Sequence, residues 1–235
     1  MRNLILLSGG MDVAITVDGL PLPIYEKNGR NWIAGEPGKA YAIVVRHRTS
    51  GRIEVLESVD GRDVLRDQAA SISNKGMIIT GEWTNHGWRI DDNTTRDFVF
   101  SDPASSIAAQ ATGSAENVGV IGVAIFTEKA PVYRASASYS RASGQSVMDS
   151  AFRSEMTVKS LTGDMSRTAD LGTGMGETRH DSVGHTVFER ANVFPAAMVE
   201  IQYRSMAWLL ENGIVNPQLP SAWPGGDTGY GRYAK

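Results

Sequence analysis

The chain contains no cysteine, which excludes disulfides, thiolate metal sites and a cysteine nucleophile and leaves the fold to rest on packing or on assembly. Neither sign of charge dominates, since 23 Lys and Arg stand against 26 Asp and Glu for a formal net charge of -3. No chain-wide cationic field favours nucleic acid or an anionic membrane, and neither is expected as a partner. Long apolar runs are also missing. The mostly apolar stretch from Val118 to Phe126 is interrupted by Gly119 and Gly122 and falls far short of the roughly eighteen residues a membrane helix takes. Near the start, Arg2 and Asn3 precede only Leu4-Ile5-Leu6-Leu7, too short for the apolar region of a secretory signal, so this segment reads as mature sequence.

Catalytic signatures are scarce as well. There is no G-x-x-x-x-G-K-[ST] and no G-x-S-x-G, which removes the phosphate-cradling loop and the serine elbow. Gly172, Gly174 and Gly176 have the spacing G-x-G-x-G, and Glu177 stands where a dinucleotide fingerprint wants its third glycine; the run reads as a flexible loop. His180, Asp181 and His185 carry imidazole and carboxylate groups suited to a divalent ion. Their His-x4-His spacing fits neither the i,i+4 face of a helix nor one face of a strand, so they read as surface residues. Asp91-Asp92-Asn93 lacks the EF-hand pattern and reads as a turn. Glu54, Glu57, Asp60, Asp63 and Asp67 could supply paired carboxylates, but sequence does not measure their separation. No catalytic residue, cofactor or metal ligand is assigned, and the expectation is a protein that is not an enzyme.

What the 235 residues do contain is β grammar. Apolar residues make up 41%, enough for a folded core. Val13, Ile15 and Val17 alternate before the turn Asp18-Gly19, the mark of a half-buried strand. Leu20 to Ile24 holds two prolines and reads as an edge or an extended crossing, followed by a turn at Asn28-Gly29. Tyr41 to Arg46 and Ile53 to Leu56 flank Ser50-Gly51 and read as a hairpin. Val59-Asp60-Gly61 is a further turn, and Met77-Ile78-Ile79 and Phe98-Val99-Phe100 repeat the strand pattern. Ser105 to Thr112 reads as a short helix or packed loop, and Val118 to Phe126 as a buried strand whose glycines mark close backbone approach. Later, Val183 to Phe188 and Ala197 to Tyr203 read as strands, and Arg204 to Glu211 as a helix closed by Asn212-Gly213.

The resulting expectation is a mainly β protein: a β-sandwich of jelly-roll or Ig-like type over residues 1–130, a flexible Ser/Ala-rich linker or arm over 131–170, and a small C-terminal α+β extension over 171–235 with two strands, a helix and an extended tail. Trp32, Trp83, Trp88, Tyr25 and Tyr41 could line a sugar platform or peptide groove, although aromatics at strand ends more often pack in the core. The tentative binding residues are Trp83 and Trp88, read as flanking a loop, and Trp223, Tyr230 and Tyr233 of the tail, read as anchors on a neighbour.

Several segments carry a resemblance: Ser58 to Val64, Gly87 to Ile90, Ala108 to Gly113, Asn117 to Phe126, Leu171 to Gly176 and Val187 to Ala191. Together they resemble a family of β-rich proteins encoded by bacteria and their phages whose activity is not established. The resemblance implies no catalytic residue; it favours a structural part of a virion made in the host cytoplasm, such as a capsid decoration or head-to-tail accessory protein, with homo-oligomer or other virion protein partners. The alternative is a carbohydrate- or peptide-binding β-sandwich module.

Overall fold

The computed structural model describes residues 2–115, 117–130 and 169–216. Its strands in chain order are β1 (Ile5–Leu7), β2 (Met11–Val17), β3 (Leu20–Pro21), β4 (Tyr25–Lys27), β5 (Arg30–Gly35), β6 (Ala40–His47), β7 (Ile53–Val59), β8 (Arg62–Asp63), β9 (Met77–Ile79), β10 (Glu82–Asn85), β11 (Gly87–Asp91), β12 (Thr94–Ser101), β13 (Val120–Thr127), β14 (Gly172–His180) and β15 (Ala197–Ser205). Two short helices join them, α1 (Ile107–Thr112) and α2 (Met206–Glu211). Both begin at a serine, Ser106 and Ser205, whose hydroxyl accepts from the backbone N–H three residues on, the usual way of satisfying a helix's first free donors.

The strands form a two-sheet β-sandwich. The first sheet runs β1-β2-β6-β12-β11, with β3 on β2, β10 on β6 and β14 on β12; the second runs β4-β5-β15-β13-β7-β8, with β9 on β7. All pairings are antiparallel except β5 with β15. Period-two alternation puts Val13, Ile15, Ile43, Val45, Phe98 and Phe100 of the first sheet against Ile53, Val55, Ile121, Val123, Ile125 and Ile201 of the second, all in one buried cluster. Each such side chain contributes about 1.5–3 kcal/mol on leaving water.

Three expectations are corrected. β6 and β7 do not form a hairpin: β6 pairs with β2, and β7 with β13, so the turn at Ser50-Gly51 carries the chain from one sheet to the other. Leu171 to Gly176 is not a loop, because β14 pairs along β12 with Gly172 opposite Ser101 and Gly174 opposite Val99. Its glycines leave room for the Pro103–Ser106 segment leading into α1: a Cβ on Gly172 would sit 2.6 Å from Ser106 Cβ and 3.2 Å from Pro103 Cα. The boundary at residue 130 does not separate a C-terminal piece either, since β14 completes the first sheet and β15 lies between β5 and β13 in the second. Of the expected linker, residues 131–168 lie outside the described residues, as do Trp223, Tyr230 and Tyr233 of the tail.

Candidate functional site

Buried polar groups join the two sheets. Asp60, in the left-handed turn after β7 at φ 54°, has its carboxylate inside the sandwich. Oδ1 accepts from Tyr203 Oη at 2.6 Å and from the Gly119 N–H at 2.8 Å; Oδ2 accepts from the Thr173 N–H at 2.9 Å. Thr173 Oγ1 lies 2.8 Å from both the Tyr203 and Tyr41 hydroxyls. Asp60 thus caps β14 of the first sheet and β13 of the second together. Burial raises its pKa to about 6, against the pull of Tyr203 and the backbone donors, and raises both tyrosines well above their ordinary value. With every member buried, the constellation offers no reacting atom to a substrate, and it acts as a tie between the layers.

The other carboxylates of the Glu54-to-Asp67 run do not converge. Glu57 faces the core, takes a hydrogen bond from Asn85 Nδ2 at 2.6 Å, and is raised by burial to about 8. Glu54, on the opposite face of β7, pairs with Arg190. Asp181 takes the Arg89 guanidinium at 2.5 Å, while His185 Nε2 lies 3.1 Å from Asp92 Oδ2. Each thus has its own partner, and among the described residues no group of three His, Asp or Glu could hold a metal ion.

Of the aromatics read as a platform, Trp32, Tyr41 and Trp88 are buried, while Tyr25 and Trp83 are half-buried. Trp83 and Trp88 do not flank a loop; they sit in β10 and β11, which meet around His86. Trp88 is 2% exposed, edge-on to Phe98, with Nε1 donating to Gly174 O at 3.3 Å. A ring sealed in this way presents no face to a sugar. Trp32 and Tyr41 are buried too, Trp32 stacked on Trp208 at 5.5 Å and Tyr41 on Phe100 at 4.4 Å.

What the surface does offer is the segment between β14 and β15, residues 181–196. It is not the strand expected at Val183 to Phe188, yet it is fastened along its length. Asp181 N–H and Val183 N–H donate to Asn93 O and Asp92 O; Lys129 N–H donates to Glu189 O; Ala191 N–H donates to Thr127 O; and Ala196 N–H donates to Ile125 O, all within 2.8–3.0 Å. Arg52 bridges Glu128, Thr186 Oγ1 and Val187 O. Arg190 reaches further, with Nε 2.6 Å from Glu54 Oε2, Nη1 donating to Ile72 O at 2.7 Å, Nη2 donating to Asn74 O, and its guanidinium 3.7 Å from the Phe126 ring centroid. On this fixed frame Val187, Val193 and Phe194 point into water, 87%, 77% and 72% exposed. Val187 was missed because the strand expected at Val183 to Phe188 would bury alternate residues, with Gly184 the signal against it; Val193 and Phe194, beside Asn192 and Pro195, fell outside any expected element.

A second feature is a groove of about 480 Å³ on the outer face of the first sheet. Ala42, Val44 and Thr84 form its floor. Along its walls lie the ion pairs of Arg46 with Glu82 and Arg179 with Asp97, with His86 beside them.

Comparison of the chain with protein-family models, with curated proteins and with solved structures finds no match to any of them. Among the described residues, no helix is long and apolar enough to cross a membrane.

Proposed function

We propose that the protein is a non-enzymatic structural component whose copies associate through the 181–196 loop, in the setting of a phage virion as a capsid decoration or head-to-tail accessory protein. The observation that carries the assembly reading is the pairing of rigidity with exposure at this loop. Large apolar side chains held in water by a pinned backbone are disfavoured unless something covers them, and a surface already ordered before contact avoids the entropy of ordering on contact. The virion setting is supported by the sequence resemblance alone.

Solution mass by light scattering across a range of concentration tests the association. The wild-type chain is expected to form a defined oligomer, and Val193→Asp with Phe194→Asp to shift it to monomer while the circular dichroism of the sandwich is unchanged. A wild type that stays monomeric throughout, or a double variant of unchanged mass, would sink the reading.

The groove on the first sheet favours a second reading, a module binding a polar ligand such as a peptide, since its volume suits a small ligand and paired charges line it. Peptide-array binding lost on Glu82→Arg would support that reading, and an array with no hits would remove it.

A further inference from the structure

The outer face of the second sheet is a trough. Small or missing side chains make its floor: Gly122, Ala124 and Ser58, with Gly122 so close to Ser58 that a Cβ would lie 2.6 Å from its Oγ. Leu56, Met198 and Ile72 of the loop before β9 border one end, a cavity of about 160 Å³. A second cavity of about 300 Å³ continues from it along Glu200 and Gln202 to the β4–β5 turn at Gly29. The two share Met198, Val199 and Glu200, so they form one path across strands β7, β13, β15 and β5.

The end of α2 lies near the turn where that path finishes. Lys27, at the end of β4, donates its ammonium to Asn212 O at 2.8 Å and to Gly213 O at 3.0 Å, which fixes the end of α2 beside the β4–β5 turn. Residues 217–235 follow. From β4 to β7 is four strand spacings, about 19 Å, while the fourteen residues from Asn216 to Tyr230 can span roughly 46 Å when extended. The chemistries match as well. The segment carries Tyr230, Arg232, Tyr233 and Lys235 at its end; the trough presents an apolar hollow of the size of one aromatic ring, with the exposed Glu200 carboxylate shared by its two cavities and Arg30 lining the second.

We propose that the trough on the outer face of the second sheet is the seat of the chain's own C-terminal segment, residues 217–235, with a tyrosine ring of Tyr230–Tyr233 in the hollow bordered by Leu56, Ile72 and Met198 and Arg232 on Glu200. Docking within one chain is favoured over capture of another copy's segment because a short tether holds its own end at high effective concentration. Arg190 of the 181–196 loop holds the Ile72 and Asn74 wall of the trough, but Val187, Val193 and Phe194 do not line it, so the cross-link and the oligomer mass test different residues.

The absence of native cysteine makes a clean test. In the full chain, Met198→Cys with Tyr230→Cys is oxidised at low protein concentration and compared with Leu20→Cys and Tyr230→Cys, Leu20 being an exposed residue of the first sheet. The first pair is expected to give an intramolecular disulfide in most molecules and the second pair little. Equal yields, no disulfide, or only disulfide-linked dimers would overturn the proposal. A second readout needs no cysteine: trypsin cleavage after Arg232 is expected to run ~10-fold faster in Glu200→Arg than in wild type, and equal rates would count against the docking. Circular dichroism of each variant confirms that the sandwich is intact.

Discussion

The Arg190 guanidinium covers the Phe126 ring at 3.7 Å while its Nε meets Glu54 at 2.6 Å, so one side chain closes an apolar surface and neutralises a buried charge. Burial acts to raise the Glu54 pKa, but Arg190 and the Gly76 N–H outweigh it and hold the carboxyl below its ordinary value. Arg190→Ala leaves Glu54 uncompensated and is expected to lower stability by about 3–5 kcal/mol, read from urea denaturation. Adding Glu54→Gln to Arg190→Ala is expected to recover part of that loss; a double variant as unstable as the single one would show that the ion pair is not the cause.

Glu57 gives a pH dependence of definite sign. Its folded pKa of about 8 lies above the unfolded value of about 4.3, so the folded state binds the extra proton. The contribution is fully present below the unfolded pKa and is lost as pH rises through 8, with a slope of at most ~1.4 kcal/mol per pH unit between the two. Urea midpoints from pH 5 to 9 are expected to fall with pH in wild type and to fall less steeply in Glu57→Gln. Parallel profiles would place the titration elsewhere.

The tie between the sheets is expected to be sensitive to a single oxygen. Tyr203→Phe removes one donor to Asp60 and leaves the ring packing in place, costing about 1–2 kcal/mol. If Thr173 and Tyr203 act through one network, Thr173→Val should cost less in the Tyr203→Phe background than in wild type, and strict additivity would refute that coupling.

Gly172→Ala is expected to destabilise by about 1–3 kcal/mol through overpacking, because the new Cβ would meet Ser106 and Val118. Gly184→Ala, with nothing within 4 Å, serves as the comparison and is expected to leave the melting temperature unchanged. Equal melting temperatures for the two variants would mean that the Pro103–Ser106 segment can move aside.

Local grammar was legible where it is decided locally. The alternation of Val13, Ile15 and Val17 and the turns at Asn28-Gly29 and Asp60-Gly61 stand in the structure, because side-chain period and left-handed φ are properties of a few adjacent residues; of the two readings of Ser105 to Thr112, helix or packed loop, the helix is found. What failed was long-range. Ser50-Gly51 looks the same whether the chain folds back beside itself or crosses to the other layer. The glycines of β14 suggest freedom until the Pro103–Ser106 segment that fills their place is known. Phe188 and Val187 are adjacent in sequence, yet one is half-buried beside Arg52 and the other faces water, a difference set by anchors far along the chain. The pinned loop was therefore not readable from its own residues.

The placement of β15 has a consequence for synthesis. It lies between β5 and β13, so a nascent chain that has reached residue 130 holds two strands whose shared neighbour has not yet been made. Both edges stay open to solvent until roughly residue 205 has left the ribosome. During that interval, at the usual ~5–20 residues per second, the edges of β5 and β13, like the β12 edge that awaits β14, are where other strands can pair.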